Sequence, residues 1–361
     1  MKDRTVVVIG GGYAGINAAK ALDDHAIVTL VEPKDAFVHN IAALRSVVNP
    51  SFLPRMFLPY DRLLKHGEVL RDHAVKVDGQ TVELASGTHL TPDYLVLASG
   101  SSYPFPAKSD QVDTWAARVR YQAAHEDLKR AGKVMLLGAG AVGLEFAGEI
   151  AAAWPEKDVV LVDQAPGILP GPYDPKLRAE VNRQLEEIGI RRVMGSPLAD
   201  LPSVPAGEFG RFTVATEEGT SIEADIWFRC YGIAPQTDYV TGTLEKARTG
   251  EGYLEVTPEL RVVGFDNVYA VGDIASIDVN KAGVAGRQAG VVAKNIQAQL
   301  NGSDELTAWS PSRPVIILPL GPKRGSGQLP DGEIASPEAI SKIKGQDMMI
   351  DRYVEILNLN A

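Results

Sequence analysis

The stretch VVVIGGGYAG, Val6–Gly15, decides how the whole chain is read. An apolar run ends in G-x-G-x-x-G at Gly10, Gly12 and Gly15. Its surroundings predict a strand over Thr5–Ile9, a glycine turn, a helix over Tyr13–Leu22, and a strand over Ile27–Val31 that ends at Glu32. In such a unit the first glycine permits the tight turn out of the strand. The second lets the backbone approach a pyrophosphate, and the third lets helix pack on strand. The free N–H groups of the helix start, at Tyr13 and Ala14, and the helix dipole then favour the negative charge. Glu32 is placed to accept hydrogen bonds from an adenosine ribose.

The chain repeats the unit. VMLLGAGAVG, Val134–Gly143, predicts a strand over Lys133–Leu137, glycines at 138, 140 and 143, a helix over Ala141–Ala153, and a strand over Val159–Val162 ending at Asp163. The inner stretches of the leading strands, Val6–Ile9 and Val134–Leu137, are apolar without interruption, as a buried parallel sheet requires. One G-x-G-x-x-G is often no more than a glycine-rich turn. Two, each in strand–turn–helix–strand–acid context, are an internal duplication and point to two bound dinucleotides. Gly10, Gly12, Tyr13, Ala14, Gly15 and Glu32 are the candidates for one nucleotide. Gly138, Gly140, Val142, Gly143 and Asp163 are those for the other.

Composition narrows the partners. The 361 residues suit two or three domains. A formal net charge of −10 argues against nucleic acid and against electrostatic docking on anionic lipid. Cys230 is the one cysteine, so a dithiol relay within the chain is excluded; it is expected in the core. Strand-like sequence begins at Thr5 and Lys2 follows Met1, so neither a signal peptide nor N-myristoylation is expected. No apolar run reaches a bilayer span. The expected compartment is cytoplasmic.

Three further segments carry glycine at a strand end. DYLVLASGSSYPFP, Asp93–Pro106, reads as a buried strand stopping at Ser99-Gly100 and leaving through Pro-broken chain. DIWFRCYGIAPQT, Asp225–Thr237, reads the same way and turns at Gly232. Each is either a simple strand-end turn or a close passage by a cofactor. NVYAVGDIASI, Asn267–Ile277, places Gly272-Asp273 after a buried strand, where a carboxylate suits a ribityl or phosphate-linked hydroxyl. A helix over Ala282–Leu300 follows, with Lys281 at its start. Its N-terminus and Lys281 would face an electron-rich heterocycle.

This order of segments resembles the two-dinucleotide-binding-domain flavoproteins over nearly the whole chain. The resemblance implies FAD on the first turn, NADH (or NADPH) on the second, and the Gly-Asp segment returning to complete the FAD site. LASG stands where that family usually has Ala-Thr-Gly, so Ser99 keeps the hydroxyl. KDAFVHNIAALRSVV, Lys34–Val48, together with SSYPFP, GLEFAGEI and NVYAVGD, is similar to the ferroptosis suppressor branch, also called apoptosis-inducing-factor-like mitochondrion-associated. Type II NADH:quinone dehydrogenases are more distant. That likeness implies Lys34, Asn40, Arg45, Asp273 and backbone near Ala74 on FAD. Glu145 would lie on the nicotinamide nucleotide and Glu149 at the flavin–nicotinamide junction. Glu145 and Glu149 are four apart and share a helix face, which is either solvated or functional. Glu149 and Lys281 are the expected catalytic side chains.

The expected fold is α/β: two Rossmann-like dinucleotide-binding domains, the second inserted into the first, plus a small C-terminal α+β region. The FAD domain spans 1–111 and 245–300, the NAD(P)H domain 112–244, and the C-terminal region 301–361. In that last region Val315–Leu320 is a strand or an apolar lip, and Ser336–Leu359 reads as one helix. By resemblance the region shapes the acceptor site and supports peripheral membrane contact or a homodimer. The expected activity is FAD-dependent NAD(P)H oxidation with a quinone as acceptor and no metal. Reduction of a ferredoxin or rubredoxin, and NADH sensing by a flavoprotein interaction module, stand as alternatives.

Overall fold

The computed structural model describes residues 3–278, 282–311 and 313–360. Its first sheet is parallel throughout, with strands in the order Val268–Ala270, Tyr94–Leu97, Thr5–Ile9, Ile27–Val31 and Glu68–Leu70. Alternation along the central strand explains its unbroken apolar sequence. Val6 and Val8 pack under the helices Tyr13–Leu22 and Ala282–Leu300. Val7 and Ile9 point the other way, onto a small antiparallel sheet carrying Val77, Val82 and Leu84. With both faces covered, every position must be apolar.

The second sheet repeats this plan with strands Arg191–Met194, Asp158–Asp163, Lys133–Leu137 and Ile226–Arg229, again all parallel. Helices Thr114–Arg130, Ala141–Ala153 and Pro175–Glu187 cover one face. A hairpin carrying Ile222 and Ala224 covers the other, against Met135, Leu137, Val160 and Val162. The chain leaves and re-enters the first domain side by side, since Ser101–Ser102 pairs antiparallel with Ala234–Pro235.

Re-entry comes earlier than the expected boundary at Leu244. The Val77 N–H donates to Tyr239 O (2.8 Å), the Thr241 N–H donates to Val77 O (2.9 Å), and Val240 is buried in the first domain's core. This boundary is set by pairing with a strand some 160 residues away (Thr241 to Val77), which no local pattern encodes.

The C-terminal region touches both domains. Ile316–Pro319, Gly325–Gln328 and Ile334–Ala335 form an antiparallel sheet, so Val315–Leu320 is essentially a strand rather than a lip. That sheet seats on the inserted domain. Leu320 lies so close to Gly148 that any Cβ there would meet its Cα at 2.3 Å, and buried Gln184 bonds both N–H and C=O of Gly325. The final helix, Ile350–Ile356, instead brings Tyr353 onto Tyr13 and Phe37 of the first domain. The single helix expected over Ser336–Leu359 is broken. A turn of α-helix at Pro337–Ile340 widens to a π turn at Ser341–Gly345, and Met348 and Met349 take left-handed φ of 57° and 62°. Tertiary polar contacts override helix propensity here, as the site makes clear. Among the described residues no helix is long and apolar enough to cross a membrane.

Candidate active site between the two glycine turns

Both turns are fixed by the same backbone crowding. Gly10 (φ 100°) and Gly138 (φ 117°) are left-handed, and a Cβ on either would lie 2.5 Å from Ala98 O or 2.9 Å from Cys230 O. Gly15 and Gly143 are tighter, their notional Cβ atoms 1.7 Å from Gly10 O and 1.9 Å from Gly138 O. Gly12 and Gly140 have nothing within 4 Å, so each turn opens at its middle glycine. Neither helix start is capped by a side chain. An open concavity lined by free helix N–H groups is what a dinucleotide pyrophosphate requires. The acids brace the loops: Glu32 accepts from the N–H groups of Gly11 (2.6 Å) and Lys34 (2.9 Å), and Asp163 from those of Ala139 (2.6 Å) and Ala165 (2.8 Å).

Around the first turn the structure gathers most of the predicted residues. Gly100 (φ 71°) is open, and the Ser99 hydroxyl bonds Gln236 O (2.6 Å) and Tyr239 Oη (2.8 Å). Gly272 (φ 73°) packs on Ala14, and its N–H donates to buried Gln288 (2.7 Å). Asp273 accepts from the Ser101 hydroxyl (2.5 Å) and from Lys108 Nζ (3.2 Å). Lys34 donates to Ser109 O (3.0 Å), and burial lowers its pKa. Asn40 Oδ1 is buried with no hydrogen-bond partner among the described residues, an acceptor that fits a ligand donor. Ala74 is buried at the start of the small antiparallel sheet, beneath the strand ends Ile9 and Leu97. Lys281 lies outside the described residues.

His39 is fully buried, and burial drops its pKa to about 4, so the ring is neutral. Its Nε2 meets a carbonyl, Met348 O (2.7 Å), and must carry the proton; Nδ1 then accepts from Tyr13 Oη (3.3 Å). The ring also packs on Tyr353, 4.7 Å between centroids.

The helix after the second turn carries the main electrostatic feature. Glu145 and Glu149 are 9% and 1% exposed, so neither lies on a solvated face. Burial pushes both carboxyls above their ordinary pKa, and the neighbouring cations pull them back. Glu149 takes a two-point bond from Arg45, through Nε and through Nη2 (2.7 Å). The same guanidinium donates to Gly345 O (2.9 Å). Glu145 pairs with Lys344 Nζ (2.6 Å). Arg45, expected on FAD, is thus engaged here by Glu149 and the C-terminal turn. Val142 is half-buried in the first turn of the same helix, and Gly232 (φ 103°) turns beside Pro104. Cys230 is buried, which raises its thiol to about 12, and it packs on Gly138.

Sequence reading missed Lys344, Gly345, Met348, Gln288 and Lys108. The first three sit in what read as plain helix. Lys108 sits in Pro-broken linker.

Residues 4–289 match the family model described as pyridine nucleotide-disulphide oxidoreductase. Human ferroptosis suppressor protein 1 is 31% identical over 90% of this chain and 88% of its own length. Apoptosis-inducing factor homolog B of Dictyostelium discoideum is 29% identical over 98% and 97%. Among solved structures, a water-forming NADH oxidase from Lactobacillus brevis, bound to NADH, superposes with a TM-score of 0.65 at 23% identity, covering 81% of this chain and 69% of that one. At that identity the likeness is one of fold.

Proposed function

This chain belongs to the pyridine nucleotide-disulphide oxidoreductase family and is an FAD-dependent pyridine nucleotide oxidoreductase, and we propose that it oxidises NADH and reduces a quinone without a disulfide step. The observation that carries this reading is the pair of open glycine cradles, with buried, cation-paired carboxylates on the helix that follows the second, in a chain whose one cysteine is buried with its thiol pKa raised. A second thiol for a dithiol relay does not exist in it.

FAD, when bound, would supply the redox chemistry between the nicotinamide nucleotide and the acceptor. The chain's own residues bind, orient and exclude water. On this reading the Gly10–Gly15 turn, Glu32 and Lys34 hold the resident nucleotide, with Asn40 and Asp273 towards its flavin half. The Gly138–Gly143 turn and Asp163 hold the exchanging one. Glu145 and Glu149 orient the nicotinamide. Arg45 and Lys344 keep those two carboxylates fixed in a buried setting, where an unpaired charge would be costly. The C-terminal turn, tied down through Lys344, Gly345 and Met348, closes this side against water.

The quinone rests on likeness to the ferroptosis suppressor proteins. Steady-state turnover with NADH against short-chain quinones, and against ferredoxin and rubredoxin, is the test. Rapid bleaching of the flavin by NADH and fast reoxidation by quinone are expected. Faster turnover with an iron–sulfur protein would move the acceptor. A stable long-wavelength band with negligible turnover would favour sensing.

A further inference from the structure

Lys108 stands on the crossing from the first domain into the inserted one, outside every motif that marks the nucleotide sites. Its ammonium meets three acceptors: Ser101 O (2.7 Å), Ser101 Oγ (2.7 Å) and Asp273 Oδ2 (3.2 Å). Asp273 follows Gly272, which lies against Ala14 in the first turn of the helix Tyr13–Leu22. The cation therefore bonds the residue next to the glycine that lies against the helix start of the first cradle. The next residue, Ser109, gives its carbonyl to Lys34. Two lysines thus tie one short crossing to the rim of one cradle.

The charges explain why. A dinucleotide diphosphate brings about two negative charges into a rim that already holds the carboxylates of Glu32 and Asp273. The helix terminus offsets only about half a charge. Glu32 is braced by backbone N–H groups, and among the described residues no cationic side chain is bonded to it. Lys34 is half-buried and directed to Ser109. Lys108, its side chain 27% exposed, is already paired to the Asp273 carboxylate.

Resting on the reading that FAD occupies the first turn, we propose that Lys108 is a cofactor-retaining residue, which shares its ammonium between Asp273 and the FAD diphosphate and so slows loss of the flavin. Asp273 is then left one oxygen for the sugar-like hydroxyls of the cofactor. The crossing segment becomes a strap that cofactor binding tightens.

The test is FAD release from full-chain holoenzyme, followed by flavin fluorescence after dilution at low and high salt, for wild type, K108Q, K108R and S101A. K108Q should release FAD about tenfold faster or more at low salt, the scale of one charge-assisted contact. The ratio should shrink at high salt, because the contact is partly exposed and screened. K108R should stay within about threefold of wild type, keeping the charge. S101A should release like wild type. K108Q at wild-type rate, or K108Q and S101A equally fast with no salt dependence, would overturn the proposal and leave Lys108 a structural tie. Should K108Q fail to fold, the wild type alone still decides: release that does not accelerate with salt sinks the idea. Gly15→Ala separates this failure from failure of the underlying reading, since it should empty the first cradle of flavin whatever Lys108 does.

Discussion

Around Gly10–Gly15 and around Gly138–Gly143 the backbone does the same three things. The first glycine turns left-handed against a neighbouring strand end, the middle one faces open space, and the third is jammed on the carbonyl of the first. Beyond the backbone the two differ. The helix Tyr13–Leu22 lies under the helix Ala282–Leu300, and the Gly272-Asp273 segment, the Lys108 crossing and Tyr353 close on its start. The helix Ala141–Ala153 instead presents two buried carboxylates, each held by a cation from another part of the chain. Sterics alone dictate the turn, so duplication preserved it. The side chains around it answer to the separate tasks proposed for the two sites: retaining one nucleotide, and orienting one that comes and goes.

The largest expected effect would break this comparison outright. Gly15→Ala and Gly143→Ala each drive a Cβ into a backbone carbonyl, 1.7 Å and 1.9 Å away, that cannot yield without opening the turn. If the tasks are divided as proposed, the outcomes must differ. Gly15→Ala should purify without the flavin absorbance. Gly143→Ala should stay yellow, yet be reduced by NADH at least on the order of a hundredfold more slowly at fixed low concentration. Flavin content and stopped-flow reduction read both. Loss of flavin in Gly143→Ala would mean that the turns are not independent.

A smaller effect concerns Glu149. Its carboxylate is bonded at two points by Arg45, so the positional role proposed for it is joined to a structural one. Glu149→Ala should slow reduction by saturating NADH about a hundredfold, the scale of a 1 Å misplacement of a reacting group. It should also cost about 3–5 kcal/mol of stability by leaving a buried guanidinium unpaired. Glu149→Gln should fall between. In an Arg45→Ala background the loss from Glu149→Ala should be much smaller if the pair acts as a unit. Wild-type reduction in Glu149→Ala would assign the ion pair to domain packing alone.

What could be read in advance follows the range of the forces. Thr5–Ile9, Tyr13–Leu22, Lys133–Leu137 and Ala141–Ala153 form where the sequence predicts them, because glycine sterics and apolar runs act locally. The spacing of Glu145 and Glu149 puts them on one helix face that the sequence leaves as either solvated or functional, and the fold buries both. Their partners were not legible: Lys344 is 199 residues from Glu145, Gly345 is 300 from Arg45, and Met348 is 309 from His39. Nothing near those residues announces them, and the π turn with its left-handed methionines exists because the three contacts pull the chain out of helix. Lys108 was hidden for a related reason, since a linker residue gains meaning only when the crossing folds back on Asp273.

The smallest effect sharpens the contrast between the two acids. Glu32 is followed two residues later by Lys34, whereas Asp163 is followed by Gln164, Ala165 and Pro166, none of them cationic. A 2′-phosphate at the second site would meet the Asp163 carboxylate with no compensating charge beside it in sequence, while a 2′-hydroxyl would find an acceptor. NADH should therefore exceed NADPH in kcat/KM by about ten- to a hundredfold, the worth of one charge-assisted bond. Asp163 also accepts from the N–H groups of Ala139 and Ala165, so its removal loosens the turn for both nucleotides. Asp163→Ala should accordingly narrow the gap mainly by losing NADH activity, not by gaining NADPH activity. Asp163→Asn, which keeps an acceptor but drops the charge, should narrow it with less loss of NADH activity. Equal or better kcat/KM with NADPH in the wild type would remove Asp163 as the discriminating residue and leave it a brace of the turn.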